Sequence, residues 1–215
     1  FHRHILSATA AASFIVACPA AFAAVSAAEA AKLGAELTPL GAEKAGNAAG
    51  TIPAWTGGYT QGNPAGYKSG DARSNLFPGD KPTLKIDAKN MQAHEGQLSE
   101  GVKELLRRDP EFFLNVYPTR RTSAAPQWVY DAVKKNAVTA VADDDENVLK
   151  NAINGIPFPI PKTGKQVMWN SLLNYRGTDT TDSISAWFVA AGGAPNFVNG
   201  ASMNWQYPYY FKGMT

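Results

Sequence analysis

Among 215 residues there is one cysteine and there are three histidines. A single thiol excludes an intramolecular disulfide framework and any zinc or iron–sulfur site built on several cysteines. An excess of one charge is also missing. Twenty Lys and Arg stand against 18 Asp and Glu, a net +2, which excludes a strongly basic nucleic-acid binder and an acidic tail protein. After the N-terminal apolar stretch, itself too short for a comfortable span, no segment approaches the ~20 apolar residues of a membrane-spanning helix. Catalytic signatures fail in turn: there is no G-x-S-x-G elbow, no H-E-x-x-H and no glycine-rich phosphate loop. What is present is globular. Hydrophobic residues make up 45% and charged ones 18%, enough for a core in one domain with a tail.

The N-terminus has the three-part pattern of a secretory signal peptide over residues 1–23. Phe1-His2-Arg3-His4 is basic, Ile5 to Cys18 is apolar and small, and Ala21-Phe22-Ala23 is an A-x-A cleavage site after Pro19. Cleavage removes the only Cys, two His and Arg3. The exported chain then carries 19 basic and 18 acidic residues, no thiol and only His94. A competing reading is a bacterial lipobox, Ile15-Val16-Ala17-Cys18, in which Cys18 is lipidated. The sequence does not begin with Met, so the N-terminus reads as clipped or mispredicted.

Residues 24–82 are expected to be a short helix followed by an ordered coil. Ser26 and Glu29 make a capping box for a helix to Leu37, with Leu33 and Leu37 on one face. Residues 38–82 hold nine Gly and five Pro and keep no period. Their large apolar side chains, among them Trp55, Tyr59 and Tyr67, argue against a flexible linker and for a coil pinned to the domain.

Residues 83–215 are expected to form an α+β domain that is incomplete at its C-terminus. The patterns predict a strand over 83–86, a helix over 88–95 capped by Asp87, and a helix after Ser99 with Val102, Leu105 and Leu106 on one stripe. An extended stretch over 112–117 and a helix from Pro126 to about Asn136 follow. The spacing of Val167, Met168, Leu172 and Tyr175 predicts a helix over 163–176. A strand over 183–191 has apolar residues on both faces toward its end, as in a sheet covered on both sides. Gly192 to Pro195 make a turn, and an aromatic strand over 203–210 follows. Two strands alone are marginal, so the chain reads as the N-terminal part of a longer protein.

Three passages invite a chemical reading. In Gly155-Ile156-Pro157-Phe158-Pro159-Ile160-Pro161, proline at alternate positions deletes every N–H on one edge of an extended chain. The result is either an apolar cavity rim or a guarded sheet edge. Trp55, in a Pro- and Gly-flanked coil, either stacks on a ligand or anchors the coil. Arg120 and Arg121 either hold an anionic head group or are solvated. His94, the one base left for a triad, sits at a helix end, and Asp143 to Glu146 lack the spacing of a calcium loop.

The runs AAKLGAELTPLGAEKAGNAAGTIPAWTGG, VYPTRRTSAAPQWVYDAVKKNA and GIPFPIPKTGKQVMWNSLLNYRG resemble an uncharacterised family of Gram-negative envelope proteins, known as a domain of unknown function or as outer-membrane lipoprotein-sorting-like. The resemblance covers essentially the whole chain after residue 23, and members look about twice as long. It implies a fold similar to the Lol-type lipoprotein carriers: a curved antiparallel sheet, a half-open barrel, with helices over its concave face. It also implies a neighbouring exporter of the resistance-nodulation-division type, and no catalytic residues. The expectation is therefore a periplasmic, non-enzymatic binding or carrier protein for a lipid or other hydrophobic cargo, with no cofactor, no metal and no nucleic-acid partner. Lipidation of Cys18 would make it an outer-membrane lipoprotein. The expected cavity is lined by Phe158 and Ile160 from the proline-guarded edge, Met168 and Leu172 from the following helix, and Trp55. The alternative expectation is a carbohydrate- or envelope-polymer-binding protein, or a hydrolase of such material.

Overall fold

The computed structural model describes residues 25–68, 71, 75–143, 145 and 147–213. Residues 1–23, where the sequence pattern predicts a signal peptide, and Cys18 among them lie outside the described residues. Among those residues no helix is long and apolar enough to cross a membrane.

The fold is a mixture of helices and small antiparallel strand pairs. Helix α1 (Ala27–Ala30) opens on the Ser26–Glu29 capping box but spans one turn only. Gly34, at φ +86, takes a left-handed conformation that ends any continuation to Leu37. Leu33 and Leu37 are instead joined by an isolated bridge. Strand β1 (Leu84–Asp87) pairs with β2 (Phe113–Val116). Between them lie a 3-10 helix (Met91–Gln97) and α2 (Glu100–Arg108). Asp87 does not cap the 3-10 helix. The side chain of Asn90 takes the Asp87 N–H and donates to the Lys85 carbonyl, which leaves a tight turn there. Ile86, Met91 and Leu106 bury one small core between these elements.

The centre of the molecule is α3 (Gln127–Thr139). Its buried stripe of Val129, Val133, Asn136 and Ala137 follows the i, i+4, i+7, i+8 spacing of an amphipathic helix. Strands β3 (Val141–Ala142) and β4 (Leu149–Lys150) close a short hairpin. Its turn is held by Asp143 Oδ1, which accepts the N–H groups of Asn147 and Val148; an acidic turn, here, is a hydrogen-bonded one.

The proline-alternating segment is neither a sheet edge nor a rim. Residues 155–159 are buried against α3 and pair with no strand. Their backbone groups are satisfied by side-chain amides. Asn136, 2% exposed, donates to the carbonyls of Ile153, Gly155 and Ile156 and accepts the Ile153 N–H. Asn170 accepts the Phe158 N–H at 2.9 Å and donates to its carbonyl at 2.6 Å. The prolines make this economical, because each removes a donor that a buried chain would otherwise have to pair. Close approach needs two glycines. A Cβ on Gly155 would press into Val133, and one on Gly41 (φ +88) would overlap the Pro159 carbonyl.

Helix α4 (Gly164–Leu172) is shorter than its pattern, ending at Leu172 rather than Arg176. Strands β5 (Asp179–Val189) and β6 (Pro195–Gln206) then form one long hairpin with a bulge near Trp187. The second strand starts eight residues earlier than the aromatic alternation suggests. Its end is shorter too: Tyr207 leads into a 3-10 turn (Pro208–Tyr210). Tyr210 drops into the core with Val129, Val133 and Ile156 and meets the edges of Trp128 and Tyr175. The outcome at the level of fold class is a helix-and-strand protein with three two-stranded antiparallel sheets among the described residues, none closed into a barrel.

Candidate functional site

The five residues singled out by sequence do not converge. Phe158 is buried with Ala140, Ala142, Leu149, Ala152 and Trp169. Ile160 packs on Ala30, Leu33 and Ala137, so two side chains from alternate positions enter different clusters. Helix α4 does fold back on the proline segment, through Asn170. It presents Gln166, Trp169 and Asn170 to the interior, while Met168 and Leu172 are 60% and 67% exposed.

Trp55 stands elsewhere. Its indole N–H donates to the Ser123 carbonyl at 2.9 Å and its backbone N–H to Lys44. It borders a depression of about 310 Å³ with Leu40, Arg121 and Tyr130. Arg121 passes its guanidinium N–H groups to the carbonyls of Glu43, Lys44 and Ala45. It thereby holds the Gly-rich coil in place. Arg120 pairs with Asp80 and lies 4.0 Å over the Phe77 ring. Its hydrogen bonds hold the Asp80 carboxyl below its usual range. Both guanidinium groups are thus engaged by the protein itself.

A second, wider depression of about 710 Å³ is lined by Tyr59, Thr60, Asn63, Tyr67, Leu76 and Pro126, among others. Among the described residues no charged side chain lines it. Gly58 packs against Ser123 too closely for a Cβ, which seats Tyr59 beside the strap formed by residues 122–125.

The apolar surface lies on the C-terminal elements. Val167, Met168 and Leu172 form the outer face of α4, each more than half exposed. The hairpin exposes Ile184, Trp187, Phe188, Val189, Phe197, Val198 and Trp205. Its two faces differ. Register places Trp187 opposite Phe197 on one face, with ring centroids 5.2 Å apart, and Ile184, Ala201, Met203 and Trp205 on the other. Both faces are open, where the sequence pattern predicts a sheet covered on both sides. The signal that sequence reading missed is the charge gap. From Ser183 to Phe211 there are 29 residues with no Asp, Glu, Lys or Arg.

Among the described residues no group of three or more His, Cys, Asp or Glu is placed to hold a metal ion. His94 is half-buried near the end of its 3-10 helix.

A family model described as "Protein of unknown function (DUF1329)" matches residues 85–215. The chain belongs to that family. It is also similar to a protein of Pseudomonas aeruginosa, uncharacterized protein PA3922, with 40% identity over 136 residues, 63% of this chain and 30% of the relative. The chain therefore matches less than a third of the length of this curated relative. No solved structure matches.

Proposed function

We propose that this member of the DUF1329 family is an exported, non-enzymatic binding or carrier protein for a lipid or other hydrophobic cargo. The observation that carries the reading is the exposed apolar surface of α4 and the β5–β6 hairpin, which holds no charge over residues 183–211. Soluble proteins seldom leave large aromatic and aliphatic side chains together in water unless the surface binds something. The N-terminal pattern of residues 1–23 supports export to the periplasm, with membrane anchoring if Cys18 is lipidated. The same reading takes the hairpin as part of a curved antiparallel sheet, the half-open barrel of the Lol-type carriers. An exporter of the resistance-nodulation-division type is the partner implied by the resemblance.

The test is native mass spectrometry after gentle purification, with titration of a fluorescent fatty acid alongside. Co-purified lipid and saturable uptake are expected, with uptake reduced by at least about tenfold in Phe188→Asp, whose side chain is exposed. A wild-type protein that takes up no hydrophobic probe sinks the carrier reading. A second reading, binding of a neutral glycan or envelope polymer, draws on the depression bordered by Tyr59 and Tyr67. It predicts a protein without lipid that binds glycans and loses them in Tyr67→Ala.

A further inference from the structure

Arg121 uses only part of its guanidinium to hold the Gly-rich coil. Nη1 faces the carbonyls of Lys44, Ala45 and Pro53 at 3.2, 3.3 and 3.5 Å, and Nη2 donates to that of Glu43 at 2.6 Å. A guanidinium carries five N–H groups, and these contacts take those of Nη1 and one of Nη2. Among the described residues the Nε–H has no partner. With the second Nη2–H it forms the fork that meets a carboxylate in two parallel hydrogen bonds. Carbonyl oxygens satisfy protons without cancelling charge, and among the described residues no carboxylate pairs with Arg121. A half-buried cation in that state favours an anion beside it.

The surroundings suit one. Arg121 lines the depression of about 310 Å³ with Leu40, Trp55, Thr122 and Tyr130. The Tyr130 hydroxyl accepts the Ala125 N–H at 2.7 Å, which leaves its own proton, among the described residues, to donate. The Trp55 indole N–H is committed to Ser123, so the ring offers apolar surface. Arg120 also lines the depression, but Asp80 offsets its charge. No Asp or Glu lines it among the described residues. One positive charge is therefore left uncompensated. That matches a monoanion, whereas a phosphate monoester carries about −1.5 to −2 at pH 7.

We propose that this depression binds a small monocarboxylate. Its oxygens take the Nε and Nη2 edge of Arg121 and the Tyr130 hydroxyl, and its apolar body rests on Trp55 and Leu40. The volume is at the low end for small-molecule sites, which selects a short carboxylate over the head group of a long-chain lipid. Neither α4 nor the β5–β6 hairpin contributes a described residue to the lining, so the site stands apart from the cargo surface.

The experiment is isothermal titration calorimetry of the full chain in chloride buffer, with benzoate as the probe and benzyl alcohol as its uncharged counterpart. Saturable benzoate binding with a Kd of about 1 mM or tighter is expected, and none by benzyl alcohol. Arg121→Lys keeps the charge and loses the fork, and should weaken binding by at least about tenfold. Because Arg121 also holds the coil, a second pair of variants sits at Thr122, whose side chain is exposed at the depression. Thr122→Glu should weaken benzoate by at least about fivefold, and Thr122→Lys should not weaken it. Butyrate and dodecanoate then compete with benzoate and should agree within about tenfold; a larger advantage for dodecanoate overturns the short ligand in favour of a lipid head group. A wild type that binds benzoate no better than benzyl alcohol overturns the proposal, as does equal loss in both Thr122 variants. Uptake of a fluorescent fatty acid by the hairpin surface is read separately and succeeds or fails independently of benzoate.

Discussion

Two extended segments, Gly155–Pro159 and the β5–β6 hairpin, solve the backbone hydrogen-bond problem in opposite ways. The first is buried and has no sheet. The second is a sheet and has almost no burial. In the buried segment, proline removes donors and the amides of Asn136 and Asn170 supply what a neighbouring strand would have supplied. In the hairpin, each strand satisfies the other on one side and leaves its outer edge and both faces open. The difference teaches that apolar content does not decide burial. The first stretch and residues 183–206 of the second carry no charge, yet only the first has a helix, α3, that brings a buried amide to it.

Removing the amide should break the comparison most strongly. Asn136→Ala leaves the Ile153 N–H and the Ile153 and Ile156 carbonyls without a partner inside the core. The expected loss is about 2–4 kcal/mol of stability, read as a shift of the urea midpoint with the slope unchanged. A loss under ~1 kcal/mol would mean that water replaces the side chain and that the buried segment is wet.

Alkali should act on the same region more gently. Tyr209 is packed beside Asn136 and donates its hydroxyl to the Gly155 carbonyl at 2.7 Å. Burial pushes its phenol up to about 12 from 10.0, and pushes Tyr210 up as well. An acid whose folded pKa is raised keeps its stabilising contribution below the unfolded value and loses it as pH rises through the folded one. Stability should therefore decline between about pH 10 and 12. Tyr209→Phe, which cannot ionise, should flatten part of that decline. Tyrosinate absorbance and urea midpoints across the range check it, and a decline that starts well below pH 10 would point to other groups.

The hairpin should show the smallest effect on stability. Trp187→Ser removes a 58% exposed side chain and one edge-to-face contact with Phe197. The expected cost is about 0.5–1 kcal/mol or less. Thermal unfolding at low concentration checks it. A cost of several kcal/mol would show that the tip is covered in solution and would make the two regions alike.

Several local features were legible in the sequence because their causes are local. The Ser26–Glu29 and Ser99 caps, the start of α3 after Pro126 and the turn at Gly192-Gly193 each depend on residues within a few positions. The left-handed Gly34 after α1 and the tight turn at Asn90 have causes that are equally local. The charge gap over residues 183–211 was visible too; reading strand alternation alone passed over it.

The candidate site was less legible. A cavity lined by Phe158, Ile160, Met168 and Leu172 requires one strand face and one helix face to meet. Which face of α4 turns inward is set by Asn170, whose amide reaches the Phe158 backbone twelve residues away in sequence. An apolar stripe has no preference between core and solvent until a polar residue on the other side is required inside. Likewise nothing near Arg121 announces that its guanidinium will be taken up by carbonyls of residues 43–45.

By itself the sequence determined where the capped helices begin, where charge is absent and which backbone donors are missing. Those properties follow from side-chain sterics and composition within a few residues. Tertiary structure alone decided that the proline segment is core and the aromatic hairpin is surface. Burial requires a partner for every polar backbone group, and such partners come from residues far along the chain.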